Sequence, residues 1–205
     1  MVAQEGSPVA SDPRLLLGAR QVLAEHGLSG LTLERLSASS GVSRMTLHRR
    51  RVTLPEVVEA LVADAGREYL TAVLPALTGP ADAAARLRLV LLATFGVADR
   101  HLPLLAGLFH RPDSIFHDPQ PEAAGPDAAI ASTDLFTGPL SRILRDGAAD
   151  GSLRAVRDPD LSAAALFNVA GWGYVHLRHA QHWPHAMAAD AVLDLVLPGL
   201  ASPAA

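Results

Sequence analysis

The chain has 205 residues, is 49% hydrophobic but only 4% aromatic, contains no cysteine and carries a formal net charge of -4. That length suits one medium domain or a small module fused to a larger one. The lack of thiols excludes disulfides and thiolate metal sites and points to a reducing, cytoplasmic setting. No run of about 18 apolar residues is present, which excludes a single membrane-spanning helix, and MVAQEGSPVASDP does not read as a signal peptide.

Taken in chain order, residues 1–11 read as a disordered arm. Asp12 can cap a helix with Pro13 at its first position, where the missing N–H costs nothing. Leu15, Leu16, Ala19, Val22 and Leu23 then repeat at helical spacing up to Gly27, a stop signal. Thr32 starts a short second helix that Gly41 ends, and Ser43 starts a third that runs out near Arg51. Thr53 caps a fourth that reaches about Leu74, with Leu54, Val57, Val58, Leu61 and Val62 on its apolar side. Beyond Pro80, helical patterns fill roughly 81–99, 102–111, 125–148, 159–182 and 185–200. Asp158–Pro159 repeats the cap-and-proline start, and the four-proline stretch at 112–126 reads as a loop. No useful strand alternation and no internal repeat occurs, so the fold class is all-α.

Charge is distributed unevenly. From Arg14 to Arg51 there are seven arginines against Glu25 and Glu34, a balance of +5, while the rest of the chain carries ten arginines against nineteen acids, a balance of -9. A basic N-terminal third on an acidic body points to a polyanion-binding module attached to something else.

Three short helices, the last two joined by a tight turn and followed by a longer fourth, make a helix-turn-helix arrangement. Leu36, Val42 and Leu47 are the apolar positions that lock the second helix across the third, and Ser37 is small where the two approach. Gly41 permits the positive φ of a sharp turn. Ser43 caps the recognition helix, whose free N–H groups can also meet a phosphate. Arg44, Met45, Thr46, His48, Arg49 and Arg50 then have no core position to fill. Arginine pairs with guanine O6 and N7 in the major groove, threonine touches a thymine methyl or a phosphate, and flanking arginines neutralise phosphates.

The stretch ARQVLAEHGLSGLTLERLSASSGVSRMTLHRRRVTLPEVVEALV, Ala19 to Val62, resembles the N-terminal DNA-binding domain of the tetracycline-repressor (TetR) family. That family's pattern has an alanine-rich first helix ending in Gly, a threonine, a GVS turn and a TLY-type recognition helix. Thr32, Gly41, Val42, Ser43, Thr46 and Leu47 match it. The resemblance implies that Thr32 joins Ser43, Arg44, Met45, Thr46, His48, Arg49 and Arg50 as a DNA-contacting residue. After the arm at 1–11, it also implies a three-helix helix-turn-helix domain at 12–72 with its motif at about 32–51, and a ligand-binding and dimerisation domain at 73–205, about nine helices in all. Four positions depart from the pattern. His48 replaces a phosphate-contacting tyrosine, Leu54 a common lysine, and Met45 a small residue. Arg51 stands where an aromatic normally packs, and its stem is expected to pack while its head reaches solvent or a phosphate.

In the second domain, LSAAALFNVAGWGYVHLRHA offers the small residues Ala164, Ala165, Ala170, Gly171 and Gly173, and Val192, Leu195 and Val196 add a second apolar seam. Intrachain core and a four-helix dimer interface explain these equally well, and the resemblance favours the homodimer. Phe95, Phe109, Phe136 and Phe167 are candidates to line a pocket and Asn168, Trp172 and Tyr174 to supply its polar contacts, although aromatic residues at helical spacing also build cores. His176, His179, His182 and His185 recur every three residues. That step turns about 60° backward on a 3.6-residue helix, so the four cannot converge on one ion. No metal site or cofactor is assigned, and no catalytic motif is present. The expectation is a non-enzymatic, cytoplasmic, homodimeric regulator, a repressor released from a palindromic double-stranded DNA operator by a small-molecule effector of unknown identity. The alternatives are an all-helical metal-dependent enzyme using the C-terminal histidines and a constitutive DNA-binding protein without effector.

Overall fold

The computed structural model describes residues 12–109 and 126–202, and of residues 126–134 the backbone alone. The arm expected at 1–11 and most of the loop expected at 112–126 fall outside these residues; Pro126 itself begins a helix. The described elements are α1 (Pro13–His26), α2 (Leu33–Ser40), α3 (Arg44–Arg49), α4 (Leu54–Thr78), α5 (Ala83–Arg100), α6 (Leu102–Phe109), α7 (Pro126–Asp150), α8 (Pro159–Phe167), α9 (Gly173–His179) and α10 (His185–Val196). A π-helical stretch, Asn168–Trp172, joins α8 to α9, so the run read as one helix from sequence is a continuous rod with one widened stretch. There the Asn168 side-chain amide donates to the Ala164 carbonyl at 2.8 Å and competes for a main-chain acceptor. Among the described residues the only β pairing is an isolated bridge, Leu153 to Ala201. No single helix among them is long and apolar enough to cross a membrane.

The chain divides into two compact units between Ala65 and Gly66, inside α4. The boundary expected at 72 lies about two turns further along the same helix. In the first unit α1 begins at the Asp12 cap, whose carboxylate accepts from Arg14 N–H at 3.1 Å with Pro13 in the first turn. Leu15, Ala19, Val22 and Leu23 are buried along one face of α1. Gly18 lies on the same face, where an added Cβ would sit 2.8 Å from the Ser40 main-chain nitrogen; only glycine lets α2 come so close. A three-residue 3-10 turn, Leu28–Gly30, leads to Thr32, which caps α2 by accepting from Arg35 N–H at 3.2 Å.

Helix α4 opens on a capping box. Thr53 N–H and Thr53 Oγ1 each donate to Glu56 Oε2 at 2.9 Å, and Glu56 N–H returns to Thr53 Oγ1 at 3.4 Å. Its first turns bury Val57, Ala60 and Leu61, and Asp64 pairs with Arg20 of α1. Its later turns belong to the second unit, whose core takes Tyr69, Val73 and Ala76.

That core adds Leu87, Val90, Leu91 and Phe95 from α5, Leu140, Ile143 and Leu144 from α7, and Leu193 from α10. A polar pin fixes α5, α9 and α10 at one place. Tyr174 is fully buried, stacks on Phe95 with ring centroids 4.4 Å apart, and donates its hydroxyl to Asp99 Oδ1 at 2.8 Å. Arg178 Nε donates to the same carboxylate at 2.7 Å, and His185 Nδ1 lies 2.6 Å from the Tyr174 hydroxyl and 3.0 Å from Asp99 Oδ2. Burial works against the Asp99 charge, but the hydrogen bonds from Arg178 and Tyr174 outweigh it and hold the carboxyl below its ordinary value of 3.8. The stabilisation is therefore complete above that value and is lost as pH falls through the lowered one. Asp99→Asn is expected to lower stability by about 1–3 kcal/mol at pH 7. Thermal midpoints of the variant and the parent should converge as the pH is taken below 3.8.

Candidate nucleic-acid interface

Only six residues make α3, and their placement is set at both ends. At the start, Gly41 ends α2 with φ 68° and ψ 10°, the left-handed turn for which glycine is suited. Ser37 of α2 donates its hydroxyl across that turn to the Val42 carbonyl at 2.8 Å, and Ser40 Oγ accepts from Val42 N–H at 3.2 Å. Ser43 then caps α3, its Oγ accepting from Thr46 N–H at 3.2 Å and lying 2.9 Å from Thr46 Oγ1. Leu36, Val42 and Leu47 are all buried, as their spacing predicts.

At its other end α3 closes in a Schellman motif. Val52 N–H reaches back to the Leu47 carbonyl at 3.1 Å and Arg51 N–H to the His48 carbonyl at 3.0 Å. Arg51 occupies the left-handed position with φ 53°, and Val52, one residue on, is buried in the core. Arg51 is exposed, a solvent-facing cation, and the buried Val52 beside it supplies the apolar contact.

The remaining faces of α3 are open. Arg44, Met45, His48 and Arg49 are exposed and Thr46 is half-buried against its cap. Charge in the unit is partitioned. Arg20 pairs with Asp64, Arg35 donates to the Gly30 carbonyl at 2.8 Å, and Arg14 lies 3.4 Å from Asp12. Arg50, expected among the DNA-contacting residues, donates to Asp12 Oδ2 at 2.8 Å and so ties the end of α3 to the start of α1. That hydrogen bond is the main reason the Asp12 carboxyl sits below its ordinary value. Arg44 has only a loose contact, 3.7 Å to Glu34, with both side chains well exposed. Arg49 and Arg51 make no ion pair among the described residues. The Arg50–Asp12 tie spans 38 residues, and no local pattern in the sequence signals it.

The residues read as pocket candidates fall into separate groups. Phe136 meets Phe167 at 5.4 Å and Tyr69 at 5.2 Å, and Tyr69 donates its hydroxyl to the Phe136 carbonyl at 2.9 Å. Tyr69 was missed because its helix was assigned mainly to the first domain. Phe109 meets Trp172 at 5.3 Å. Phe95 and Tyr174 are fully buried against each other in the polar pin, and Asn168 is exposed with its amide turned back on its own helix. Of the four histidines, His185 joins the pin, while His176, His179 and His182 are exposed. Among the described residues no three His, Cys, Asp or Glu side chains gather as a metal site.

No protein-family sequence model and no curated protein sequence matches the chain. Solved structures do match its fold. A TetR-family transcriptional regulator, PfmR from Thermus thermophilus, superposes with a TM-score of 0.67 at 22% identity, covering 90% of this chain and 97% of that one. The ketosteroid transcriptional regulator KstR2 of Mycobacterium tuberculosis gives 0.69 at 19% identity, covering 92% and 94%. AibR, in complex with isovaleryl coenzyme A and operator DNA, gives 0.62 at 16%, covering 90% and 96%. The chain thus has the all-helical fold of TetR-type regulators over nearly its whole length.

Arg51 holds a left-handed backbone at a cost of about 1–2 kcal/mol, while glycine costs about 0.5–1 kcal/mol in chain entropy. Arg51→Gly is therefore expected to raise stability by about 0.5–1 kcal/mol, read as a higher denaturant midpoint with an unchanged slope.

Proposed function

We propose that the protein is a homodimeric, double-stranded-DNA-binding transcription regulator, a repressor whose second unit binds a small apolar effector. The observation that carries this reading is α3 itself: a helix capped at both ends that buries Leu47 and leaves Arg44, Met45, His48 and Arg49 exposed. An α-helix with that face fits the major groove, and cations without fixed partners are free to meet phosphates and guanine edges. The fold shared with regulators, among them AibR crystallised with operator DNA and an acyl-CoA, supports the same reading.

A dimer is supported by the outer face of the second unit. Leu161 and Val169 on the α8 rod are 68% and 59% exposed, and Met187 and Leu195 on α10 are 53% and 78% exposed. These residues recur at helical spacing, whereas Ala170 and Val192, also read as seam residues, turn into the core. A symmetric pair would bury this face on both copies, and two recognition helices that enter successive major grooves must lie about 34–36 Å apart. Helix α4 supplies residues to both units, so an effector that favours another setting of the second unit's helices acts directly on the turns that follow α3. A coupling of about 1–3 kcal/mol would change DNA affinity roughly 5–150-fold. The partly buried rings Phe136, Phe167 and Trp172, with the exposed Phe109, are the assigned effector contacts.

Duplexes selected by the full chain from a random-sequence pool provide the test, with binding followed by fluorescence anisotropy across salt concentrations. Arg44→Ala and Arg49→Ala should each weaken binding by about 1–3 kcal/mol. Wherever a phosphate contact is lost, the salt slope should become shallower by about 0.9 per contact. Unchanged affinity in both variants refutes their role, and a chain that enriches no duplex refutes the function. Separately, Leu195→Asp is expected to yield monomers in sedimentation velocity while helicity is kept, because it places a charge in the proposed apolar seam.

A further inference from the structure

Met45 is the most exposed large apolar side chain among the described residues, at 82%. A lone exposed methionine needs no explanation, but this one borders an open cleft of about 780 Å³. Leu33, itself 37% exposed, together with Leu47 and Val52, gives the cleft an apolar lining, and Arg44 and Arg51 give it a cationic rim. Arg51, in its left-handed turn with φ 53°, and Val52 and Thr53 after it also line the cleft. An occupant must therefore combine a small apolar projection with negative charge close on either side.

Duplex DNA offers that combination. The C5-methyl of thymine is the one apolar group that projects from the base edges into the major groove, and phosphates flank it on both strands. Methionine is unbranched and polarisable, so it adapts to such a group without a fixed rotamer. Resting on the DNA-binding function above, we propose that Met45 is a specificity-determining residue that reads thymine through its methyl group, which seats against Met45 and Leu33 while the arginine rim is held by neighbouring phosphates. A wholly apolar small molecule would leave the cationic rim unpaired, and the commitment is to thymine in the operator half-site.

The experiment replaces each thymine of a selected duplex by deoxyuridine, which removes the methyl and nothing else. The parent chain should lose roughly fourfold in affinity for each half-site at one symmetric position, the value of burying one methyl-sized group. Met45→Ala should bind the thymine and deoxyuridine duplexes equally, and Met45→Leu should keep the preference. Because Met45 is exposed, these variants keep the fold, which far-UV circular dichroism verifies. Tight binding of selected duplexes with no thymine that matters, or a preference that survives in Met45→Ala, overturns the assignment and leaves the DNA-binding reading intact. If no duplex is selected, both fail together. If Met45→Ala changes the sedimentation coefficient of the free protein, the cleft belongs to a second copy of the chain, and the thymine assignment is overturned.

Discussion

A helix of six residues is not stable in water by itself, since fixing its first turn costs more than its few hydrogen bonds return. Helix α3 exists because Leu47 is withdrawn from water with Leu36 and Val42, and because both its ends are closed by other groups. Everything else in the first unit follows from that dependence. Gly41 lets α2 end abruptly enough for Val42 to turn inward, Ser37 and Ser40 hold the turn, and Gly18 lets α2 approach α1 closely. With one side chain buried out of six, the remaining surface of α3 carries no structural burden and is available for chemistry.

The arginines divide along the same line. Those that hold the fold have partners built into it: Arg20 with Asp64, Arg35 with the Gly30 carbonyl, and Arg50 with Asp12. Arg50 is the informative case, because it closes α3 onto the cap of α1 and so fixes the rod's orientation within its unit. An exposed surface pair contributes little, but Asp12 is nearly buried and receives several hydrogen bonds, so the contact also orders the entry to α1. Arg49 and Arg51 belong to the other class, cations kept outside the internal network and directed to solvent. A uniform count of positive charge along the segment hides this difference in role.

Local chemistry was legible in the sequence and long-range chemistry was not. Asp12, Thr32, Ser43, Thr53 and Asp158 act as caps because a short polar side chain satisfies N–H groups two or three residues away, a relation written in the order of residues. The apolar positions of the helices were readable for the same reason. The Arg50–Asp12 tie, the Gly18–Ser40 approach and the pairing of Tyr69 with Phe136 join residues brought together only by the fold. The backbone of Arg51 was hidden for a different reason. Its left-handed backbone is a position that favours glycine, and an arginine there gives no warning until the hydrogen bonds from Arg51 and Val52 are seen. The π stretch at Asn168–Trp172 was hidden because its small residues also fit an ordinary helix.

Within the second unit the physics separates a fixed region from a responsive one. Asp99, Tyr174, Arg178 and His185 satisfy one another at short distance around a stacked ring pair, and removing any member takes one partner from a buried or part-buried polar group. Because each of these contacts is shared with another, the node resists rearrangement. The rings of Phe136 and Phe167 and those of Phe109 and Trp172 meet one another and are only partly buried or exposed, so they can repack at smaller cost. Tyr69 connects that repackable set to α4 through its ring and through the hydrogen bond to the Phe136 carbonyl. On the proposed function an effector works by moving rings against a fixed node, and Tyr69 is the residue through which that movement is felt by the helix that α3 precedes.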